Sequence, residues 1–231
     1  RARGRAFLAD PILDPIPFGL AMSIARYVGL RERYPDIAIM MGVGNVTELT
    51  EADTSGINAV LLGMAAELHV SAILTTSVSR HARRAVREAD VARRVMYAAR
   101  EAQVLPKSMG GELATVHEKR PFPYSAAEID ELAQGVRDPN FRVQVAEDGL
   151  HVYNRAGHWR DVDPFALYPE LDFGTDAGHA FYMGVQLARA EIAWQLGKRF
   201  NQDEALDWGC AVERAEEDLG AWCAPGTTMK K

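Results

Sequence analysis

The chain has 231 residues, of which 48% are hydrophobic and 25% charged, with a formal net charge of −6. That balance is ordinary for a folded globular protein, and it lacks the clustered basic excess of a nucleic-acid binder. No apolar run approaches the roughly 18 residues that a membrane-spanning helix requires, so no spanning helix is expected in this chain.

Cys210 and Cys223 are the only cysteines, too few for a disulfide framework or a four-cysteine zinc site. The opening RARGRAFLAD runs straight into a strand-like segment rather than into an apolar signal core. A reducing, cytoplasmic setting is expected. The chain starts with Arg1 rather than Met, as a segment of a longer protein would.

Residues 1–104 alternate between two periodicities. AFLADPIL reads as a buried strand, and GLAMSIARYVGLRERY as a helix with Leu20, Ile24 and Val28 on one stripe. IAIMMGVG reads as a second buried strand. Thr50, with Asp53 three residues on, predicts the start of a second helix by a variant of the capping box. Ile57, Val60, Leu61, Met64, Ala65 and Leu68 continue that helix at 3.6-residue spacing. VSAILTT reads as a third strand, and a third helix is expected from Ser79 onward, with Arg83, Arg84, Arg87, Arg93 and Arg94 on its solvated face. Apolar strands separated by amphipathic helices predict a parallel sheet covered by helices, built from three βα units.

After about Leu105 the texture changes. LPKSMGG and KRPFPYS are linker-like. Ser125 and Glu128 form a capping box for a short helix. FRVQVAEDGLHVYNRAGHWRDV alternates around Asp148-Gly149 and Arg155-Ala156-Gly157, which predicts an antiparallel meander. A long helix is expected over 177–200 with Phe181, Val185, Ala188, Ile192 and Leu196 on one face, a stripe expected as core or dimer contact. A polar helix and a loose tail are expected after it. The division is therefore 1–104 and 105–231, the second part a small α+β domain.

In parallel βα folds ligands sit at the carboxyl ends of the strands. The first strand delivers Asp10 and Asp14, the second Gly42, Gly44 and Asn45, and the third Thr75, Thr76 and Ser77, followed by Arg80 and His81. Carboxylates, an amide that donates and accepts, and hydroxyls suit a planar heterocycle rich in hydrogen-bonding groups. Each residue type also has an ordinary turn-forming role; their recurrence on three successive strand tips supports the ligand reading. His117, His151, His158 and His179 have spacings that match no metal motif, so no metal ligands are assigned and these are expected as surface or interface histidines.

GVGNVTEL followed by INAVLLGMAAELHVSAILTT resembles the pterin-binding superfamily, in which a Gly-x-Ser-Asn-Val-Ser turn precedes a helix and strand of this length. DPILDPI resembles its Asp-Pro-Leu-x-x-Pro strand end. The superfamily comprises dihydropteroate synthases and corrinoid-dependent methyltetrahydrofolate methyltransferases, both (β/α)8 barrels. Over nearly its whole length the chain resembles the carboxyl half of the dihydropteroate synthase-related proteins of organisms that make tetrahydromethanopterin, whose trailing domain carries a signature like GHAFYMGVQLARAEIAWQLGKRFNQD.

The resemblance implies an α/β fold in which residues 1–104 are the last three βα units of a TIM barrel of the dihydropteroate synthase type, with the earlier five in a missing N-terminal half of the same protein. It implies an exposed sheet edge at the first or third strand. It implies pterin binding by Asp10 or Asp14, with Asn45 reaching the far ring, and phosphate binding by Arg80 and His81. The expected activity joins a hydroxymethyl-dihydropterin diphosphate to an arylamine, with the pterin as substrate and Mg²⁺ as a candidate ion, in a homodimer; no catalytic residue is assigned. The lysine that bacterial synthases use against the pterin is absent where this chain has GNVTE. Two alternatives therefore stay open: methyl transfer from a reduced pterin to a corrinoid, and non-catalytic pterin binding.

Overall fold

The computed structural model describes residues 5–213. In the first part, α1 (Leu20–Arg33), β1 (Met40–Gly42), α2 (Gly44–Thr47), α3 (Thr54–Glu67), β2 (Ala72–Leu74) and α4 (Ala85–Glu101) follow one another. β1 and β2 pair in parallel, Met41 opposite Ile73. The segment before α1 joins the same sheet through one parallel bridge, Ala9 to Ile39. The three segments form an open sheet with no closed barrel among the described residues. The class is mixed α/β.

The helices cover one face of this sheet. Ile39, Met41 and Val43 are buried against Leu13, Tyr27, Leu61, Leu62, Ala65 and Ala92. The alternate residues face the other way, because side chains on a strand point to opposite faces. On that second face Leu8 and Leu74 are 48% and 55% exposed, and Met40 and Ala72 are half-buried. A parallel sheet ordinarily has both faces covered; among the described residues this one has helices on one face only.

Three helix expectations need correction. α3 begins at Thr54, not Thr50: Asp53 is the N-cap residue but makes no side-chain cap bond, and the Thr50 hydroxyl donates to the carbonyl of Val46 at 2.6 Å. α4 begins at Ala85 rather than Ser79. Residues 79–85 make i to i+3 turns instead, Ala82 N–H to Ser79 O and Ala85 N–H to Ala82 O. In α1, Tyr27 is fully buried, whereas Val28 is 37% exposed; the core stripe runs Leu20, Ser23, Ile24, Tyr27.

The second part contains α5 (Ala126–Gly135), β3 (Arg142–Ala146), β4 (Gly149–Asn154), β5 (Gly157–Asp161), α6 (Pro164–Leu167) and α7 (Ala177–Leu196). The capping box that opens α5 forms in full: Ser125 Oγ accepts from Glu128 N–H, and the Glu128 carboxylate accepts from Ser125 N–H. The meander is antiparallel in the order β3-β4-β5, with Val145 opposite Leu150 and Val152 opposite Trp159. One face carries Val143, Val145, Leu150 and Val152 onto α7. The other carries Ala146 and Tyr153 onto Ile129 of α5. With both faces covered, every residue of β4 is buried.

α7 ends at Gly197, whose left-handed backbone (φ 61°, ψ 51°) turns the chain before Phe200. Its buried face is Met183, Gln186, Leu187, Ala190 and Ala193, not the stripe through Phe181 and Ile192, which are 76% and 39% exposed. The two parts touch: Leu113 packs against the core of the first part, and Arg84 pairs with Glu213. Within the second part, fully buried Lys198 donates to the carbonyl of Thr115 at 3.1 Å, and Cys210 N–H donates to Glu112 O at 2.9 Å. The expected terminal helix and tail, and Cys223, fall outside the described residues. No helix among those described is long and apolar enough to cross a membrane.

Candidate functional site

The three parallel strand ends bring their tip residues to one cleft of about 290 Å³, lined by Asp10, Leu13, Gly42, Asn45, Glu48 and Thr76 among others. Asp10 follows the bridge at Ala9. Its Oδ1 accepts from the Ile12 amide at 2.9 Å and from the Tyr27 hydroxyl at 2.9 Å. Oδ2 has no protein donor among the described residues. One oxygen is thus oriented by two donors while the other remains available to a ligand. A fork-like pairing that uses both oxygens would displace one of those donors.

Met40 O lies 3.2 Å from the Tyr27 hydroxyl and shares its one hydrogen with Asp10. Burial, reinforced by the Asp10 carboxylate, pushes that hydroxyl well above the usual tyrosine range, so it stays a donor.

Asn45 is held by the second strand end. Its Nδ2 donates to Leu13 O at 2.9 Å, which fixes the amide orientation, since only the nitrogen can donate. Asn45 is exposed, and its amide oxygen and second amide hydrogen make no hydrogen bond among the described residues. Gly42 lines the same cleft, and a Cβ added there would meet nothing within 4 Å. Gly44 differs: a Cβ there would stand 2.9 Å from Thr76 Oγ1, so only glycine lets the two strand tips approach this closely.

Glu48 received no role in the sequence reading, yet it organises this end of the sheet. Its carboxylate accepts from Thr76 Oγ1 at 2.9 Å, Val78 N–H at 2.8 Å and Ser79 N–H at 2.8 Å. Those backbone and hydroxyl donors, led by the Val78 amide, hold its carboxyl down at about 2. Nothing in local periodicity marks a residue whose partners lie some thirty positions away, so the signal was absent.

The other expected residues lie elsewhere. Asp14 accepts from Arg26 Nη2 at 2.7 Å and Ser23 Oγ at 3.0 Å; the guanidinium, then the hydroxyl, lower its pKa. It ties the loop to α1 and does not line the cleft. Arg80 is exposed and also does not line it. His81 Nε2 lies 3.1 Å from Thr47 O and lines a separate 180 Å³ cavity with Thr54, Arg84 and Glu88. The cleft lining contains no Lys, Arg or His.

A second cluster lies between α5 and the meander. His151 is completely buried, which corrects the expectation of a surface histidine. Its Nε2 is 2.9 Å from Asp148 Oδ1 and its Nδ1 is 3.0 Å from His158 Nε2. His158 Nδ1 is in turn 3.1 Å from Asp130 Oδ1. His179 packs among aromatic rings instead, 5.4 Å from Phe173 and 5.8 Å from Phe141. His117 holds the carbonyl of Leu196 at 2.6 Å.

The chain is 30% identical over 219 residues to an uncharacterized protein of Methanocaldococcus jannaschii, an alignment that covers 85% of this chain and 42% of that protein. The chain thus spans less than half the length of this relative. No family model matches the chain. No solved structure matches it.

Proposed function

We propose that this chain is the pterin-holding portion of a dihydropteroate synthase-like transferase, its first 104 residues forming the last three βα units of a TIM barrel and the remainder a trailing α+β domain. The observation that carries this reading is the convergence of Asp10 and Asn45 on one cleft, each with unspent hydrogen-bonding capacity. An acidic oxygen at one end and an amide at the other complement the amino-pyrimidinone and the far ring of a bicyclic pterin. The cleft volume sits at the lower bound of ligand pockets, about 300–1,000 Å³, as part of a larger site would.

Support for the partial barrel comes from the sheet. Its helix-free face and its β2 edge are the surfaces that further barrel strands would cover. The 430 Å³ groove beside β2, lined by residues including Leu62, Ile73, Val86 and Tyr97, lies at that edge.

One observation favours a second reading, methyl transfer from a reduced pterin to a corrinoid. Displacement of diphosphate requires cationic stabilisation of the departing anion, and the cleft lining offers two carboxylates and no cation. Synthase chemistry would therefore draw its positive charge from Mg²⁺ or from polypeptide beyond this chain, with Arg80 and His81 as the nearest basic candidates in sequence.

Titration of the full-length protein with a hydroxymethyl-dihydropterin diphosphate and, separately, a methylated reduced pterin tests both. Diphosphate release with an arylamine supports the synthase, and methyl transfer to a corrinoid the alternative. Asp10→Asn is expected to weaken either pterin by about 10- to 100-fold, the range of a lost charge-assisted hydrogen bond. Undiminished binding by Asp10→Asn together with Asn45→Ala would remove the pterin reading altogether.

A further inference from the structure

The unbroken row Asp148, His151, His158, Asp130 presents a proton deficit. Two of its contacts are hydrogen bonds, at 2.9 and 3.0 Å, and the third, His158 Nδ1 to Asp130 Oδ1 at 3.1 Å, is attractive only with a hydrogen or a metal ion beside the two atoms. Two neutral imidazoles carry only two such hydrogens. Asp148, which also receives Arg160 at 3.2 Å, accepts from His151 Nε2. That leaves the His151 Nδ1 lone pair aimed at His158, whose other nitrogen faces the Asp130 carboxylate. A proton or a metal ion would fill the deficit.

We propose that His151, His158 and Asp130 bind a divalent transition-metal ion such as Zn²⁺. One ligand atom from each lies within 4.8 Å of the other two. The edge of a tetrahedral site with bonds near 2.0–2.1 Å is about 3.4 Å, so the widest pair must close by up to about 1.4 Å. Asp130 can supply that movement, since its side chain is 48% exposed on α5, whereas His151 is locked in the sheet.

The scaffold fits the chemistry. Tyr153 stands opposite His158 across β4 and β5, so His151, two residues earlier on β4, projects on the same face. That is also the face covered by α5, which carries Asp130. A carboxylate behind a ligating imidazole fixes its tautomer and raises its basicity; Asp148 holds that place behind His151. Two carboxylates offset the double charge of the ion. Two imidazoles and one carboxylate leave a coordination position open, the composition of sites that bind water or substrate. This site is separate from the pterin cleft and stands or falls independently of it.

The test uses the whole chain stripped with chelator, titrated with Zn²⁺ by calorimetry and with Co²⁺ by visible absorption. One equivalent is expected to bind, with cobalt bands of a low-coordinate N/O site. His158→Ala and Asp130→Ala should each weaken binding at least 10-fold, and Asp148→Asn by 10- to 100-fold, the usual loss from an outer partner. Circular dichroism and melting of these variants in chelator should match the parent, which separates lost ligation from lost folding. Absence of uptake at millimolar metal would overturn the site and leave a proton as the missing cation. So would uptake that persists unchanged in the His158→Ala variant.

Discussion

The Tyr27 hydroxyl donates to Asp10 Oδ1 at 2.9 Å across the base of the cleft. A fully buried residue of α1 thereby aims a carboxylate that follows the first strand. Tyr27→Phe keeps the ring and removes the donor. It should cost about 1 kcal/mol in denaturant unfolding, the net worth of a typical hydrogen bond. The larger effect is expected on ligand binding, because Asp10 would retain only the Ile12 amide to orient it. Pterin titration of the variant checks this: an affinity equal to the parent would mean that Asp10 needs no aiming.

Glu48 sets a pH dependence. Its carboxyl is depressed from an ordinary value of 4.5 to about 2 by the Val78, Ser79 and Thr76 donors. A group with a lowered folded-state pKa contributes its stabilisation fully above the unfolded value and loses it as pH falls toward the folded one. The contribution should therefore hold at pH 6, shrink below about 4.5 and vanish near 2. Melting curves of the parent and Glu48→Gln across that range are expected to differ at neutral pH and to converge in acid. A gap that stays constant with pH would show that Glu48 acts by shape alone.

Gly44 and Thr76 test how closely the strand tips must approach. Gly44→Ala places a methyl 2.9 Å from Thr76 Oγ1, and that hydroxyl is already committed to Glu48 at 2.9 Å. Overpacking of this kind costs about 1–3 kcal/mol. The double variant with Thr76→Ala removes the clashing oxygen and should recover part of the loss. A double-mutant cycle in urea measures the coupling, and strictly additive effects would contradict the contact.

The sequence carried the periodic features well. The capping box at Ser125, the meander turns and the alternation of extended segments with α1, α3 and α4 all depend on neighbours in sequence, and they stand in the structure, except that the first expected strand is reduced to the Ala9–Ile39 bridge. What escaped depends on distant neighbours. The Ser79–Arg84 stretch reads as helix by composition, but the structure engages it elsewhere: Ser79 N–H serves Glu48 and His81 faces Thr47 O. His151 and Asp130 lie on different elements, and only strand register with α5 packed above brings them together. Asp10 and Asn45 were legible as strand tips; the arrest of Asp14 by Arg26 was not, because an aspartate before proline looks the same whether free or paired.

The stripe on α7 offers the sharpest check of this kind. Its sequence has two apolar faces, one through Phe181 and Ile192 and one through Met183, Leu187 and Ala190. Periodicity alone cannot rank them. In the structure the meander takes the second: Leu187 is 3% exposed within the cluster of Val143, Leu150 and Val152, whereas Phe181 is 76% exposed. Leu187→Ala should lose about 2–5 kcal/mol through transfer and cavity formation. Phe181→Ala should stay within about 0.5 kcal/mol in dilute monomer, as surface changes do. Denaturant unfolding of the two variants decides between the faces, and a larger loss from Phe181 would mean that another copy of the chain, or another protein, covers that side of the helix.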